Sequence, residues 1–449
     1  MRPTLATYGG GNLFGMERRF FGTDGIRGRA GEPPLTPEFV LRLGQAAGSV
    51  LRENAARPTV LIGKDTRESG DLLEAALAAG LLSQGVVVEH LGVLPTPAVA
   101  YLSSVLEADA GVVISASHNP YQDNGIKFFG PGGTKLSDEA ELEIERRLEG
   151  AFAIRDIGTV RNHHEAERLY TDRLVHLGPR LDGLRVAMDT ANGATYRVAP
   201  RVLQRLGAEV FAIFNTPDGR NINKGCGSTH PELLQRVVRE GGFDVGVAFD
   251  GDGDRVILVD AKGRIVHGDH VLYINALVRG EPLVVGTVMS NLGLERALKR
   301  RGVEFVRTPV GDRYVYEALR ERGGRLGGEQ SGHVLFLDHL PTGDGLQTAL
   351  LTLDAVQRSG RSLETWVDEL TLYPQRLVNV RVRDKEAVMA LPELAAWIAE
   401  AEGRLGEGRI NVRPSGTEPL VRIMVEAPDP ERVDEAIDWL RERISAAVE

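Results

Sequence analysis

The chain has 449 residues, 42% of them apolar and 26% charged, with a formal net charge of −10 and one cysteine. That length exceeds what one hydrophobic core serves and predicts several domains. The composition excludes a disordered or membrane-embedded chain, and the negative balance argues against nucleic acid or an anionic membrane as partner.

The single cysteine, Cys226, excludes an internal disulfide and a multi-cysteine metal site; it is read as a bystander in a reducing cytoplasm. The opening segment has no apolar run of signal-peptide length, and no later segment reaches the ~18 apolar residues of a membrane span. A cytoplasmic location is expected. Organised sequence begins near Arg19, preceded by what reads as an unstructured tail in which Met16 is an alternative start.

From residue 42 to 90 the pattern runs helix, strand, helix, strand: an Ala- and Leu-rich stretch, the apolar run 59–63, a helical run 71–82, and the run 85–89. That alternation predicts a parallel sheet with crossover helices. Residues 110–115 read as another buried strand. The rhythm returns in a strand at 184–189, a helix at 198–206 and strands at 209–214 and 244–249, and once more in a strand at 283–286 and a helix at 294–301. Three stretches thus share one α/β plan without a residue-level repeat of fixed period. After Tyr373 and Pro374 the order becomes strand 378–382, helix 393–401, strands 409–412 and 421–427, and helix 430–447, a smaller α+β domain. The expected units are 1–168, 169–264, 265–373 and 374–449.

Four loops carry chemistry. Ser-Ala-Ser-His-Asn-Pro at 115–120 follows a buried strand, so its side chains emerge at the carboxyl edge of a sheet, where ligands bind in open α/β folds. Ser115 and Ser117 are both candidate nucleophiles, and His118 can assist only one; alone, the segment also reads as turn formers and caps. Asp-Gly-Asp-Gly-Asp-Arg at 250–255 places carboxylates at i, i+2 and i+4. In an extended strand such positions lie ~6.6 Å apart, so three acids meet one cation only if the chain curls, which Gly251 and Gly253 permit. Three hard oxygen donors suit magnesium. A calcium EF-hand would want glycine at Arg255 and glutamate at Ala261 and is excluded, while an ordinary solvated Asp-Gly turn is the plain alternative.

Gly-Gly-Glu-Gln-Ser-Gly-His at 327–333 groups a carboxylate, an amide, a hydroxyl and an imidazole, which suits sugar hydroxyls, with His333 a candidate acid or base; it also reads as a capped loop. Arg-Pro-Ser-Gly-Thr-Glu-Pro at 413–419 offers a guanidinium, hydroxyls and backbone amides to a phosphate dianion, with Arg422 adding charge; a hairpin turn with a surface arginine is the plain alternative. Arg27 and Lys127 are placed in glycine-flanked loops where each can meet a phosphoryl group. No P-loop, Gly-x-Ser-x-Gly elbow or His-Glu-x-x-His helix is present.

Together with Gly-Thr-Asp-Gly-Ile-Arg-Gly at 22–28, these motifs resemble, in order and spread, the α-D-phosphohexomutase family along essentially the whole chain from Arg19 onward. Within it, Ile-Ser-Ala-Ser-His-Asn-Pro at 114–120, Asp-Asn-Gly-Ile-Lys-Phe-Phe at 123–129 and Gln330 resemble the bacterial branch acting on glucosamine phosphate.

The resemblance implies three similar α/β mixed-sheet domains plus a smaller C-terminal α+β domain around a central cleft. It assigns a phosphoserine to Ser117 and one magnesium ion to Asp250, Asp252, Asp254 and an oxygen of the phosphate on Ser117. Arg27 and Lys127 would stabilise the transferring group, with Lys127 or His333 handling the sugar hydroxyl proton. Arg255, Glu329 and Ser331 would bind substrate, while Arg413, Ser415, Gly416, Thr417 and Arg422 would grip the phosphate not being transferred.

The activity implied is transfer of a phosphoryl group between O6 and O1 of a hexosamine through a 1,6-bisphosphate, with glucosamine 1,6-bisphosphate as intermediate and activator, supplying amino sugar for UDP-N-acetylglucosamine and cell-wall precursors. The turnover of that intermediate calls for a mobile last domain. The only partner implied is the small sugar phosphate, a homodimer being admitted but not required. Rival readings are a glucose or mannose phosphate mutase, a magnesium-dependent sugar phosphatase and a non-catalytic sugar-phosphate sensor.

Overall fold

The computed structural model describes residues 19–22, 24–154, 156–415 and 419–448. The expected leading tail, with Met16, lies outside the described residues.

Four sheets follow one another along the chain. The first contains β1 (Ile26–Arg29), β2 (Thr59–Lys64), β3 (Val87–Val93), β4 (Ala110–Ile114), β5 (Asp123–Phe129) and β6 (Val160–Asn162), in the order β1-β5-β4-β2-β3-β6. The second contains β7 (Arg185–Asp189), β8 (Glu209–Ile213), β9 (Val245–Phe249), β10 (Val256–Asp260) and β11 (Ile265–Val266), ordered β11-β10-β9-β7-β8. The third contains β12 (Leu283–Thr287), β13 (Glu304–Thr308), β14 (Leu326–Gly328) and β15 (Val334–Phe336), ordered β13-β12-β14-β15. The last contains β16 (Gln375–Arg381), β17 (Arg409–Pro414) and β18 (Leu420–Glu426), ordered β16-β18-β17 and antiparallel throughout.

Inside the first three sheets lies one four-strand pattern: β3-β2-β4-β5, β8-β7-β9-β10 and β13-β12-β14-β15. In each, the first three strands in chain order are parallel and joined by helices, such as Gly70–Leu82 and Thr96–Val105 in the first unit. The fourth is antiparallel to the third. A parallel return needs a crossover of about a dozen residues or more. The connections here are loops at 115–122, 250–255 and 329–333, too short for one, so the chain doubles back. The parallel sheets expected from the alternation are therefore mixed, and the three doubling-back loops all leave the carboxyl end of the third strand.

Local chemistry sets the element ends. Thr36 caps helix Pro37–Leu51 by accepting from Phe39 N at 3.3 Å, with proline at the first helical position. That helix crosses Gly70–Leu82 at two glycines: a Cβ on Gly44 would stand 2.4 Å from Leu77 O, and one on Gly80 would stand 2.1 Å from Leu41 O. Strand β3 starts two residues later than the apolar run suggests, because Gly85 turns with a φ of 77°, and it runs on to Val93 through Glu89 and His90, whose polarity hid it.

One buried apolar cluster runs through the first three units, including Leu61, Tyr170, Leu258, Leu294 and Leu350. The last sheet has its own cluster, from Val380 to Ile444, under helices Leu394–Leu405 and Pro430–Val448. Among the described residues no helix is long and apolar enough to cross a membrane.

Candidate active site

The three doubling-back loops converge. Ser117 Oγ donates to Asp250 Oδ2 at 2.7 Å, joining the first unit to the second. Ser115 Oγ instead donates to Asp65 Oδ2 at 2.5 Å and accepts from Ser117 N at 3.0 Å. The two candidate serines are thus separated by role: Ser115 braces the turn and Ser117 faces the acids. Ser117 is 3% exposed and has a φ of 51°, a left-handed conformation that costs a serine about 1–2 kcal/mol. Donors hold it there: Arg67 Nη2 at 3.0 Å and Asn223 Nδ2 at 2.8 Å both reach Ser117 O. Arg67 is itself fixed by Asp65 at 2.8 Å.

His118 Nδ1 stands 3.2 Å from Ser117 Oγ and 3.2 Å from Arg255 Nη1. Guanidinium only donates, so this nitrogen accepts. Burial, with Arg255 and Arg27 adding repulsion, pushes the His118 pKa down to about 4 and leaves the ring neutral.

Asp250, Asp252 and Asp254 are buried, and one carboxylate oxygen from each lies within 4.8 Å of the others. Burial, then mutual repulsion with Asp254, raises the pKa of Asp250 and Asp252. For Asp254, burial is outweighed by His333 and Arg255, which hold it low. Thr96 Oγ1 donates to Asp252 Oδ2 at 2.5 Å, whereas the buried Asp252 Oδ1 and Asp254 Oδ1 have no hydrogen-bond partner among the described residues. Three convergent hard oxygens, two of them orphaned, fit a divalent cation. Of the two glycines expected to curl this loop, only Gly253 adopts positive φ, at 73°. Gly251 serves close approach instead, since its Cβ would stand 2.5 Å from Ser117 O.

The third loop packs on the second through Val256 N, which donates to Gly332 O at 3.2 Å. His333 Nδ1 is 3.4 Å from Asp254 Oδ2 and its Nε2 is 3.9 Å from Asp312 Oδ2. Burial opposes a charge on this ring, but Asp254 and Asp312 together raise its pKa. Glu329 is half-buried and accepts from Gly311 N at 3.1 Å, while Ser331 is exposed.

Arg27 and Lys127 lie on paired strands, β1 and β5, and not in the loops expected of them. The apolar content of 123–129 was too low to announce a strand. Lys127 Nζ is 3.6 Å from Asp312 Oδ2; burial disfavours its charge, yet Asp312 and Asp24 more than compensate and raise its pKa. Arg27 lies 3.7 Å from Asp24, and its buried Nε has no hydrogen-bond partner among the described residues.

On the last sheet Arg413 and Arg422 face one another across the β17–β18 register. Burial and Arg422 lower the Arg413 pKa, and among the described residues the buried Arg413 Nε has no hydrogen-bond partner. Arg422 Nη2 donates to Ser415 Oγ at 3.3 Å. Two apposed guanidiniums make a seat for an anion. Gly416 and Thr417 lie outside the described residues.

Thr96, Asn223, Arg67 and Asp312 had no signal in the sequence, since each reaches the site from an unremarkable loop or helix end. Cys226 is buried, and burial followed by Asp189 pushes its thiol up to about 12.

Family models cover nearly the whole described chain: phosphoglucomutase/phosphomannomutase alpha/beta/alpha domains I (18–154), II (169–263) and III (267–373), and the C-terminal domain (377–442). Phosphoglucosamine mutase of Thermus thermophilus is 65% identical over 430 residues, 96% of this chain and 98% of the relative. Its counterpart in Deinococcus radiodurans is 59% identical over 419 residues, 92% of this chain and 94% of the relative. A crystal structure of a phosphoglucomutase/phosphomannomutase family protein from Burkholderia thailandensis matches at a TM-score of 0.79 and 26% identity, covering 95% of this chain and 97% of that one. Four domains in register, two close relatives over nearly their full length and a shared architecture have one explanation: the chain belongs to the phosphoglucomutase/phosphomannomutase family, the α-D-phosphohexomutases.

Proposed function

We propose that this protein is a phosphoglucosamine mutase, an isomerase that interconverts glucosamine 6-phosphate and glucosamine 1-phosphate. The observation that carries the reading is Ser117 Oγ hydrogen-bonded at 2.7 Å to a buried cluster of three aspartates. The close relatives of that name support the choice of amino sugar.

In this reading phosphorylated Ser117 gives its phosphoryl group to O1 of glucosamine 6-phosphate, and the 1,6-bisphosphate turns over and returns its 6-phosphate to Ser117. Magnesium held by Asp250, Asp252, Asp254 and the Ser117 phosphate would supply charge stabilisation to the transferring group. Phosphoryl transfer rests mainly on positioning and electrostatics, and the chain's own residues fit that need. Asn223 and Arg67 fix the strained turn that presents Ser117. Arg27, Arg255 and Lys127 bring fixed positive charge, with Lys127 kept protonated by Asp312 and Asp24. His333 Nε2, buried and without a hydrogen-bond partner among the described residues, is the nitrogen placed to take up or return the sugar hydroxyl proton. Glu329 and Ser331 meet sugar hydroxyls, and Arg413, Ser415, Gly416, Thr417 and Arg422 hold the distal phosphate. The reading extends to a cytoplasmic location, supported by a lone cysteine that is a buried free thiol.

The test is turnover of glucosamine 6-phosphate, glucose 6-phosphate and mannose 6-phosphate by purified protein with magnesium and catalytic 1,6-bisphosphate, beside Ser117→Ala. Preference for the amino sugar, lost by at least roughly 1,000-fold in the variant, is the expected result. Faster conversion of glucose or mannose phosphate would move the protein to the neighbouring branch. Release of free phosphate would replace the mutase reading with a phosphatase.

A further inference from the structure

Lys135 follows the turn that leads out of β5. Its backbone pairs antiparallel with Phe129, and Leu136 N donates to Phe128 O at 3.3 Å. Residues opposed in this way share a face of the sheet, so the Lys135 side chain emerges beside Phe129 and, two residues earlier on the same strand, Lys127. The turn is pinned: Gly130 N donates to Thr134 O at 2.7 Å, and a Cβ on Gly133 would stand 2.1 Å from Ala100 O. The lysine is thus held in a fixed register.

Its Nζ is buried and, among the described residues, has no hydrogen-bond partner. Native proteins leave few such groups, because a buried donor without an acceptor is unfavourable. Burial is the largest influence on the amine; after it come Asp312, Lys127, Asp24 and Glu141, and the net effect lowers the pKa. Asp312 is already engaged, 3.6 Å from Lys127 Nζ and 3.9 Å from His333 Nε2. Two lysines and a histidine therefore draw on one carboxylate at the seam between the first and third units, a seam that Arg313 and Asp138 bridge with an ion pair.

We infer that Lys135 is a further substrate-contacting residue, whose ammonium receives an oxygen of a phosphoryl group on the hexose, beside Lys127. A phosphoryl dianion supplies both things this place lacks, an acceptor for the Lys135 amine and negative charge to share among three cation-forming side chains. A sugar hydroxyl supplies only the first. The inference rests on the phosphohexosamine mutase reading.

The test compares the full-length wild type with Lys135→Met and Lys135→Arg, measuring kcat and KM for glucosamine 6-phosphate together with melting temperature. A charge-assisted contact to the transferring group predicts a loss of roughly 10- to 100-fold in kcat/KM for K135M. K135M should melt no lower than wild type, and K135R should recover part of the loss. A K135M variant within about twofold of wild type overturns the inference. Equal losses in K135M and K135R with lowered melting temperatures also overturn it, because they assign Lys135 a structural role only. Should K135M not fold, Lys135→Gln is measured against the same criteria. A wild type that turns over no hexosamine phosphate defeats the functional reading instead, whereas an active wild type matched by K135M defeats only the assignment of Lys135.

Discussion

Ser117 sits where no single residue type would be comfortable. It is left-handed, buried and hydrogen-bonded to one of three clustered carboxylates, and it is held by donors from 50 and 106 positions away along the chain. The acids carry the larger tension, since burial and repulsion already push the pKa of Asp250 and Asp252 upward. Removing one charge should therefore stabilise the metal-free protein: Asp250→Asn should melt about one to two degrees above wild type in chelator, a shift that corresponds to on the order of 1 kcal/mol. Excess magnesium should reverse the order, because a ligand that binds only the folded state stabilises it by mass action and the variant has lost a donor. A thermal melt of both proteins with and without magnesium decides; identical melting in all four samples would remove the metal from this cluster. The aspartates and Ser117 were legible in the sequence because a dense motif follows an apolar strand. Thr96 and Asn223, which complete the same site, were not, because a lone threonine or asparagine in a loop is indistinguishable from a cap.

At the scale of elements, apolar runs such as 59–63 and 244–249 announced their strands, whereas β5 did not. Asp123, Asn124 and Lys127 interrupt its hydrophobicity, and its pairing with β1 and β4 is a tertiary choice. Helix Gly268–Arg279 shows a different dependence on its surroundings. Its cap is His267, whose Nδ1 accepts from Asp269 N at 3.2 Å and can do so only when neutral. Burial pushes His267 down to about 4, and burial with His267 and Arg264 pushes His270 down to about 3. Both pKa values lie below the unfolded value near 6.5, so the unfolded state binds protons first and stability falls as pH drops from about 6.5 toward 4. Asp269, raised by burial to about 6, works in the opposite sense, its contribution being full at low pH and lost as pH rises through 6. The informative quantity is therefore the difference between wild type and His267→Asn, in which a cap that does not titrate replaces one that does. Urea midpoints should converge or cross between pH 7.5 and 5, with the variant losing less. A gap independent of pH would show that the cap is not coupled to the proton.

For the molecule as a whole, the continuous apolar cluster makes the first three units one cooperative body, while the last unit keeps its core to itself. The two bodies meet through polar contacts: Tyr373 Oη donates to Glu407 Oε1 at 2.6 Å, Gln375 Nε2 to Met289 O at 3.1 Å, and Arg409 Nη2 to Ser290 O at 3.1 Å. For a polar joint of this kind, relative motion of the two bodies is the default expectation. Calorimetry should resolve two transitions, the smaller carrying roughly a sixth of the heat, because unfolding enthalpy scales with residue number. A single sharp transition would mean that the last unit is locked to the rest. The overall plan of three like units and a smaller fourth was readable from the rhythm of apolar runs. The mixed character of the sheets was not readable from that rhythm alone, because it depends on how few residues join the third strand to the fourth.

That shortness has a further consequence. The loop of Ser117, the acidic cluster and residues 329–333 occupy the same address in three successive copies of one pattern, so in the proposed reaction labour is divided among the three units. Yet each specialist hangs from its own pair of strands. In the proposed reaction substrate preference can drift at the side chains of Glu329 and Ser331, whereas Gly332 and His333, tied to Val256 and Asp254, stay with the phosphoryl chemistry. Selectivity in this architecture is modular, even though catalysis is not.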